Sequence, residues 1–148
     1  MTKAESFFTA KEEKLIIAAI KKAEKNTSGE IRVHIDESSG TDTLVRAEKA
    51  FIALKMNDTR DRNGVLFYIS SEDNSLAICG DEGIHIATPI GFWKNIKDTV
   101  IKSFKEKQFV DGLTKGIEMM GESLKEYFPY QDDDINELSD EISHGKSA

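Results

Sequence analysis

Three short polar motifs contain the residues of this chain that are best suited to bind a metal ion. They are Ser28-Gly29-Glu30, the segment 58–64 and Gly80-Asp81-Glu82-Gly83, and each adjoins an apolar run that predicts a β-strand. Carboxylate and amide oxygens without a matching set of Lys or His are what a hard cation such as Ca2+ or Mg2+ selects. The candidate metal ligands are Glu30, Asp58, Asp61, Asn63, Asp81 and Glu82.

The predicted strands should bring these motifs to one edge of a sheet. A helix connects the strands at 31–35 and 65–69, and such a crossover leaves two strands parallel, so their starts share an edge. A hairpin then returns the chain through 76–79 and ends at that same edge. Taken singly, each acid has an ordinary structural role, for example an ion pair of Asp61 with Arg60 or Arg62. The metal hypothesis therefore depends on the convergence.

The opposite edge of the sheet is a second candidate. Asp36, Glu37, Glu72 and Asp73 collect there, and ligands of α/β sheets usually bind beyond the carboxyl ends of the strands. Those acids lie in turn compositions, where Asp and Asn serve local backbone hydrogen bonds. We therefore rank this edge below the first.

Four helices are predicted around the strands. Thr9 and Glu12 form a capping-box pattern at the start of the first, and Thr41 or Asp42 caps the second. Thr88-Pro89 predicts the start of the third, because proline at the first helical position loses no hydrogen bond. The fourth carries an apolar stripe from Leu113 and ends before Pro129.

Composition limits the classes of function. A chain of 148 residues with 39% hydrophobic residues forms one core, and we expect a monomer. Its net charge of -7 argues against nucleic-acid binding and against anionic membranes, and no apolar run is long enough for membrane insertion. The first residues have no secretory signal pattern, so we expect a cytoplasmic protein. Cys79 is the single cysteine and is interpreted as a small buried hydrophobe.

The order of these motifs resembles that of the TPM domain family. The likeness rests on Ser28-Gly29-Glu30-Ile31, the run from Arg60 to Leu66, Gly80-Asp81-Glu82-Gly83-Ile84, Phe92-Trp93 and Tyr127-Phe128-Pro129, and it covers about residues 8–129. It implies a three-layer α/β/α sandwich around a small mixed sheet, with about four flanking helices and divalent-cation binding, commonly Ca2+, at acidic loops. Acid phosphatase activity is attributed to some members, and others belong to photosystem II repair in thylakoids. The remaining segment, 130–148, is interpreted as an acidic, mostly solvated tail with a helical turn around Ile135 and Leu138.

Three functions follow as hypotheses. The first is a divalent-cation-binding domain that acts through a protein partner. The second is a metal-assisted phosphomonoesterase, in which Asp61 or Asp81 would be the catalytic base. The third is an interaction scaffold without a ligand, whose melting temperature ions would not change.

Overall fold

The computed structural model describes residues 2–38, 40, 42–130 and 138–145. In these residues a four-stranded mixed sheet has the strand order β3-β2-β1-β4. The elements are α1 (Ala10–Glu24), β1 (Glu30–Asp36), α2 (Thr43–Ala53), β2 (Gly64–Ser70), β3 (Ser75–Gly80), α3 (Glu82–Ala87), α4 (Lys94–Lys105), α5 (Phe109–Lys125) and β4 (Ser143–His144).

The sheet has helices on both faces, which confirms the three-layer α/β/α fold. Alternate strand residues such as Val33 and Phe67 join the larger core beneath α1, α4 and α5. The intervening residues, such as Leu66 and Tyr68, pack against α2 in a smaller core. Both faces of β2 are thus covered, and all seven of its residues are buried, as its continuous apolar run predicts.

Local signals placed the first helices correctly. Thr9 and Glu12 form the predicted capping box at α1, and Asp42 caps α2 by accepting hydrogen bonds from the amides of Leu44 and Val45. On α5, Gly116 and Gly121 lie against Val100 of α4 and Ala23 of α1. Helices approach closely at these positions because neither glycine has a side chain.

The helix start predicted at Thr88-Pro89 is wrong. The segment 88–93 is a turn in which Gly91 has φ +79°, and α4 begins at Lys94. A short helix, α3, begins instead at Glu82, because the Asp81 side chain accepts the hydrogen bond of the Glu82 amide. The sequence predicts metal binding for both acids and does not predict this helix.

The segment 138–145 differs from the solvated tail that its composition predicts. Ile142 is buried in the larger core, and Ser143–His144 pairs with β1 in parallel. Leu138 packs against the smaller core. Ile135 lies outside the described residues, and the predicted domain boundary at 129 stays a prediction.

Membrane insertion was not expected from the sequence. Among the described helices, none is both long enough and apolar enough to cross a bilayer.

Candidate metal-binding edge

The three polar motifs meet at one edge of the sheet, as predicted. Glu30 lies opposite Gly64 in the parallel pair of β1 and β2, and its amide donates to the Asn63 carbonyl at 3.2 Å. The Asp81 amide donates to the Gly64 carbonyl at 3.0 Å, and the Gly83 amide to the Arg62 carbonyl at 2.9 Å. Backbone hydrogen bonds therefore join the loop 58–64 to both neighbouring motifs.

Arg62 forms a bidentate ion pair with Asp81 at this edge. Its Nε lies 2.8 Å from Asp81 Oδ2 and its Nη2 lies 2.9 Å from Oδ1. The hydrogen bond to Asp81, together with the charges of Asp81 and Glu82, raises the pKa of Arg62. Asp81 is only 4% exposed, so the guanidinium compensates a buried carboxylate. The sequence predicts an ion pair of Arg62 with Asp61 and does not predict the pair with Asp81.

The remaining candidate ligands separate into buried and exposed groups. Glu30 and Asn63 are buried, at 3% and 1% exposure, and the Asn63 amide nitrogen Nδ2 donates to Ser28 Oγ at 3.4 Å. Asp58, Asp61 and Glu82 are exposed on the surface of the loop and on α3. Asp61 pairs with Arg60 over 3.6 Å in solvent. The backbone convergence thus holds, whereas the side chains face different surroundings.

The edge offers the right kinds of donor but no preassembled cage. In the described part of the chain, no three His, Cys, Asp or Glu side chains are grouped so as to hold a metal ion. The main-chain oxygens of Asp61 and Arg62 lie so close to Gly83 that a Cβ there would overlap both. Ca2+ accepts main-chain carbonyls and water alongside carboxylates, so the donor chemistry fits. The Asp81 carboxylate can bind an ion only after the Arg62 guanidinium has released it.

Glu24 is a further acid at this edge that the sequence analysis missed. Its Oε2 accepts a hydrogen bond from the Ile31 amide at 3.0 Å, just beyond Glu30. Burial raises the pKa of Glu24 to about 10, with further contributions from a hydrogen bond to Asp140 and the charges of Asp140 and Glu30. Burial and the neighbouring carboxylates thus favour the protonated, neutral form of Glu24. Nothing in the sequence places Asp140 beside it, because the two residues meet only when the C-terminal segment folds back.

The opposite edge contains a buried polar network centred on Asp36. Its Oδ1 lies 2.9 Å from His34 Nε2, and its Oδ2 accepts from the Tyr68 hydroxyl at 2.6 Å. Arg46 Nε lies 3.4 Å from the same Oδ2. Burial by itself would raise the pKa of Asp36, but the hydrogen bonds from His34 and Tyr68 and the charges of His34 and Arg46 lower it. Asp36 is thus an ionised, fully partnered carboxylate.

His34 connects this network to β4. Its Nδ1 lies 2.6 Å from Ser143 Oγ, and the Gly145 amide donates to the Ile35 carbonyl at 2.8 Å. Serine, histidine and aspartate thus stand in hydrogen-bonded order, the residue types of a nucleophilic triad. Both carboxylate oxygens of Asp36 already accept hydrogen bonds, one from His34 and one from Tyr68, and His34 is buried. The arrangement holds the C-terminal strand to β1, a role that the sequence analysis did not assign to His34.

Comparison with known proteins identifies the architecture. The TPM domain family model matches residues 1–123. The NMR structure of the BA42 protein from the psychrophilic bacterium Bizionia argentinensis has 47% sequence identity and a TM-score of 0.89, covering 94% of this chain and 96% of that one. The N-terminal domain of the cg2496 protein from Corynebacterium glutamicum has the same fold at 12% identity and a TM-score of 0.61, covering 91% of this chain and 79% of that one. No curated protein matches the chain.

Proposed function

Because this chain belongs to the TPM domain family, we propose that it binds a divalent cation, Ca2+ or Mg2+, at the edge where Glu30, Asn63 and Asp81 meet. The observation that supports this proposal is the hydrogen-bonded convergence of three distant motifs on Gly64 and its neighbours. Carboxylate, amide and main-chain oxygens are the donors that these cations prefer. The acids of the site come from separate elements, so an ion would join the loop 58–64 to α3.

Binding in this proposal proceeds by exchange at Asp81. Arg62 neutralises the buried carboxylate when no ion is bound, and the cation replaces it. The Arg62 side chain is 44% exposed, so it can move into water without leaving a cavity in the core. Asp61 and Asp58, which are exposed on the same loop, supply oxygens once the loop adjusts. Since the ion competes with a bidentate ion pair, we expect weak binding, on the order of 10^-5 to 10^-3 M.

The role of the bound ion would be to set the conformation of the surface. Loop 58–64 and the turn at Asp81 carry several exposed charged side chains, and releasing Arg62 would expose a further cation. A protein partner that recognises this rearranged surface would then bind in response to the ion. This is the sense in which the domain would act through protein interaction.

Calorimetric titration of chelator-treated protein tests the proposal. Ca2+ and Mg2+ are titrated separately into the wild type, Asp81→Asn and Asp98→Asn. Asp98 is a matched control, because it is exposed on α4 and pairs only with Lys94 among the described residues. We expect saturable binding by the wild type and Asp98→Asn and none by Asp81→Asn. Binding that survives in Asp81→Asn contradicts the assignment, and no binding by any protein supports a ligand-free scaffold.

Metal-assisted phosphomonoester hydrolysis is the second candidate function. The observation that favours it is that Arg60 and Arg62, which can bind phosphate oxygens, flank the exposed Asp61. In this function a bound ion would supply a water of lowered pKa, and Asp61, rather than the engaged Asp81, would accept a proton from it. Hydrolysis of p-nitrophenyl phosphate that requires the added ion and disappears in Asp61→Asn would support it. Turnover that persists at the wild-type level in both Asp61→Asn and Asp81→Asn would indicate a contaminant.

A further inference from the structure

The outer edge of β3 carries backbone groups without a strand partner. In the described residues β3 pairs only with β2. The hydrogen bond from the Asp81 amide to the Gly64 carbonyl sets the alternation of the ladder, so Cys79, Ala77 and Ser75 bond to β2. The amides and carbonyls of Leu76 and Ile78 consequently face away from the sheet. Such an edge is a template for one more strand.

This edge forms the floor of a cleft between two helices. The cleft has a volume of about 740 Å3, and residues 76–80 of β3 line it. One wall is α2, with Leu44 and Glu48, and the other is formed by Trp93, Lys97 and Ile101 at and within α4. The helices belong to opposite outer layers of the sandwich, so the cleft is the open side between those layers.

At the Gly80 end of β3, the side chain of His85 covers the outer edge of the strand. His85 Nε2 lies 3.1 Å from the Gly80 carbonyl oxygen, and its ring packs edge-on against Trp93 at a centroid distance of 5.7 Å. The Gly80 carbonyl, which faces outward by register, thereby has a partner. The groups that remain for an added strand are therefore those of Leu76 and Ile78.

The two walls differ in chemistry. Glu48 is exposed on the α2 wall, and the Asp42 carboxylate lies at the beginning of the same helix. Burial, followed by the charges of Glu48 and Asp81, raises the pKa of Cys79 to about 11, so the field of Glu48 reaches β3. The α4 wall presents the half-buried indole of Trp93 and the side chain of Ile101, with Lys97 beside them. One wall is acidic and the other is mainly apolar.

We propose that this cleft is a docking groove for an extended segment of a partner protein that adds to β3 as a strand, with basic side chains toward Glu48 and apolar side chains toward Trp93. Side chains of a strand alternate between the two faces, so a segment that alternates basic and apolar residues complements both walls. The cleft is walled by α2 on one side and by Trp93 and α4 on the other, so its occupant in this proposal is a single extended chain. This proposal does not depend on the proposed cation site.

The probe is an acetylated and amidated peptide of alternating Lys and Val with six residues, the length of β3. It is titrated into isotope-labelled protein with chelator present, so that the result is independent of cation binding. We expect saturable shifts at the amides of Leu76 and Ile78 and at the Trp93 indole. Glu48→Lys should weaken binding about tenfold or more, because it reverses a charge at the groove. Glu118→Lys, an exposed acid on α5, is the control and should bind like the wild type.

Methylation of the peptide backbone separates strand addition from simple charge attraction. Only alternate amides of an added strand face its neighbour, so two peptides methylated on the odd or on the even amides should differ. We expect one of them to lose binding and the other to keep it. Equal binding by both, shifts confined to the exposed Ile86 and Ile90, or no binding at all would overturn the proposal. Binding of the protein to anionic lipid vesicles without binding of the peptide would overturn it as well.

Discussion

Arg62 donates two hydrogen bonds to the Asp81 carboxylate, from Nε at 2.8 Å and from Nη2 at 2.9 Å. The carboxylate that the sequence assigns to a cation is therefore already neutralised by a cation of the neighbouring loop. Asp81 also caps α3 through the Glu82 amide at 2.7 Å. Any ion at this edge has to compete with Arg62, and the first prediction follows from that competition.

Removing Arg62 should tighten cation binding and weaken folding. Arg62→Ala leaves the buried Asp81 carboxylate without its guanidinium, which favours a metal ion but destabilises the ion-free protein. We expect a lower dissociation constant for Ca2+ by calorimetry and a lower Tm in chelator, with Tm restored by added Ca2+. Lys21→Ala is the control, because Lys21 is an exposed cation on α1, outside the proposed site. An affinity that is unchanged or weaker in Arg62→Ala would contradict exchange at Asp81.

Gly83→Ala should disrupt the contact between α3 and the loop. A Cβ at this position would overlap the main-chain oxygens of Asp61 and Arg62, and backbone atoms cannot move aside as a flexible side chain can. The substitution should also lengthen the hydrogen bond from the Gly83 amide to the Arg62 carbonyl. We expect a Tm lower by several degrees, together with weaker cation binding, because the oxygens no longer converge. Wild-type Tm and affinity in this variant would show that the close approach is not required.

Glu24→Gln should stabilise the protein most at alkaline pH. The pKa of Glu24 is raised by burial from 4.5 to about 10, so above pH 4.5 the unfolded chain loses a proton that the folded chain keeps. Glu24 therefore reduces stability progressively as pH rises through that interval. Glutamine has no proton to lose and can still accept from the Ile31 amide. Denaturant unfolding at pH 5 and pH 8 should show a larger gain at pH 8.

A gain that is equal at both pH values would contradict the raised pKa of Glu24. Glu122→Gln is a matched control, because Glu122 is exposed on α5. Its substitution should leave the pH dependence of unfolding close to that of the wild type.

Asp36→Asn should loosen the C-terminal strand. Asp36 carries an ion pair with Arg46 and hydrogen bonds to His34 and Tyr68, and loss of its charge should cost about 1–3 kcal/mol of unfolding free energy. Its pKa is lowered from 3.8, so its contribution is complete above pH 3.8 and is lost as pH falls through the lower, folded-state pKa. The difference from the wild type should therefore shrink in acid.

Hydrogen exchange reports the same variant locally. The Gly145 amide, which donates to the Ile35 carbonyl, should exchange faster in Asp36→Asn than in the wild type. Unchanged protection at Gly145 would show that β4 is held without the Asp36 network.

The sequence predicted elements whose signals are local. The Thr9 and Glu12 capping box and the apolar run of β2 depend on residues within a few positions of each other, and both are confirmed. Because a helix connection leaves two strands parallel, the sequence also predicted that the three polar motifs meet at Gly64. The Thr88-Pro89 signal failed because Gly91 turns the chain and α4 begins only at Lys94.

Side-chain partners of the site were harder to predict. Arg62 has φ +50°, an uncommon conformation for a residue other than glycine, and its guanidinium pairs with Asp81, 19 residues away in the chain. Glu24 interacts with Asp140, and His34 with Ser143. The members of each pair are more than a hundred residues apart in the chain, and no local sequence pattern predicts such contacts. The acidic composition of the segment 130–148 predicted that it is solvated, but Ile142 of this segment is buried in the core.

The Arg62 side chain itself offers the most direct test of cation exchange. Its Nε–H resonance can be followed while Ca2+ is added to chelator-treated protein labelled with nitrogen-15. Because Nε–H donates to Asp81 Oδ2, we expect a saturable change toward a solvent-exposed, fast-exchanging signal, in step with shifts of the Asp81 and Gly83 amides. An Arg62 Nε–H that stays protected while Ca2+ saturates the protein would rule out exchange at Asp81, because the ion would then be bound elsewhere.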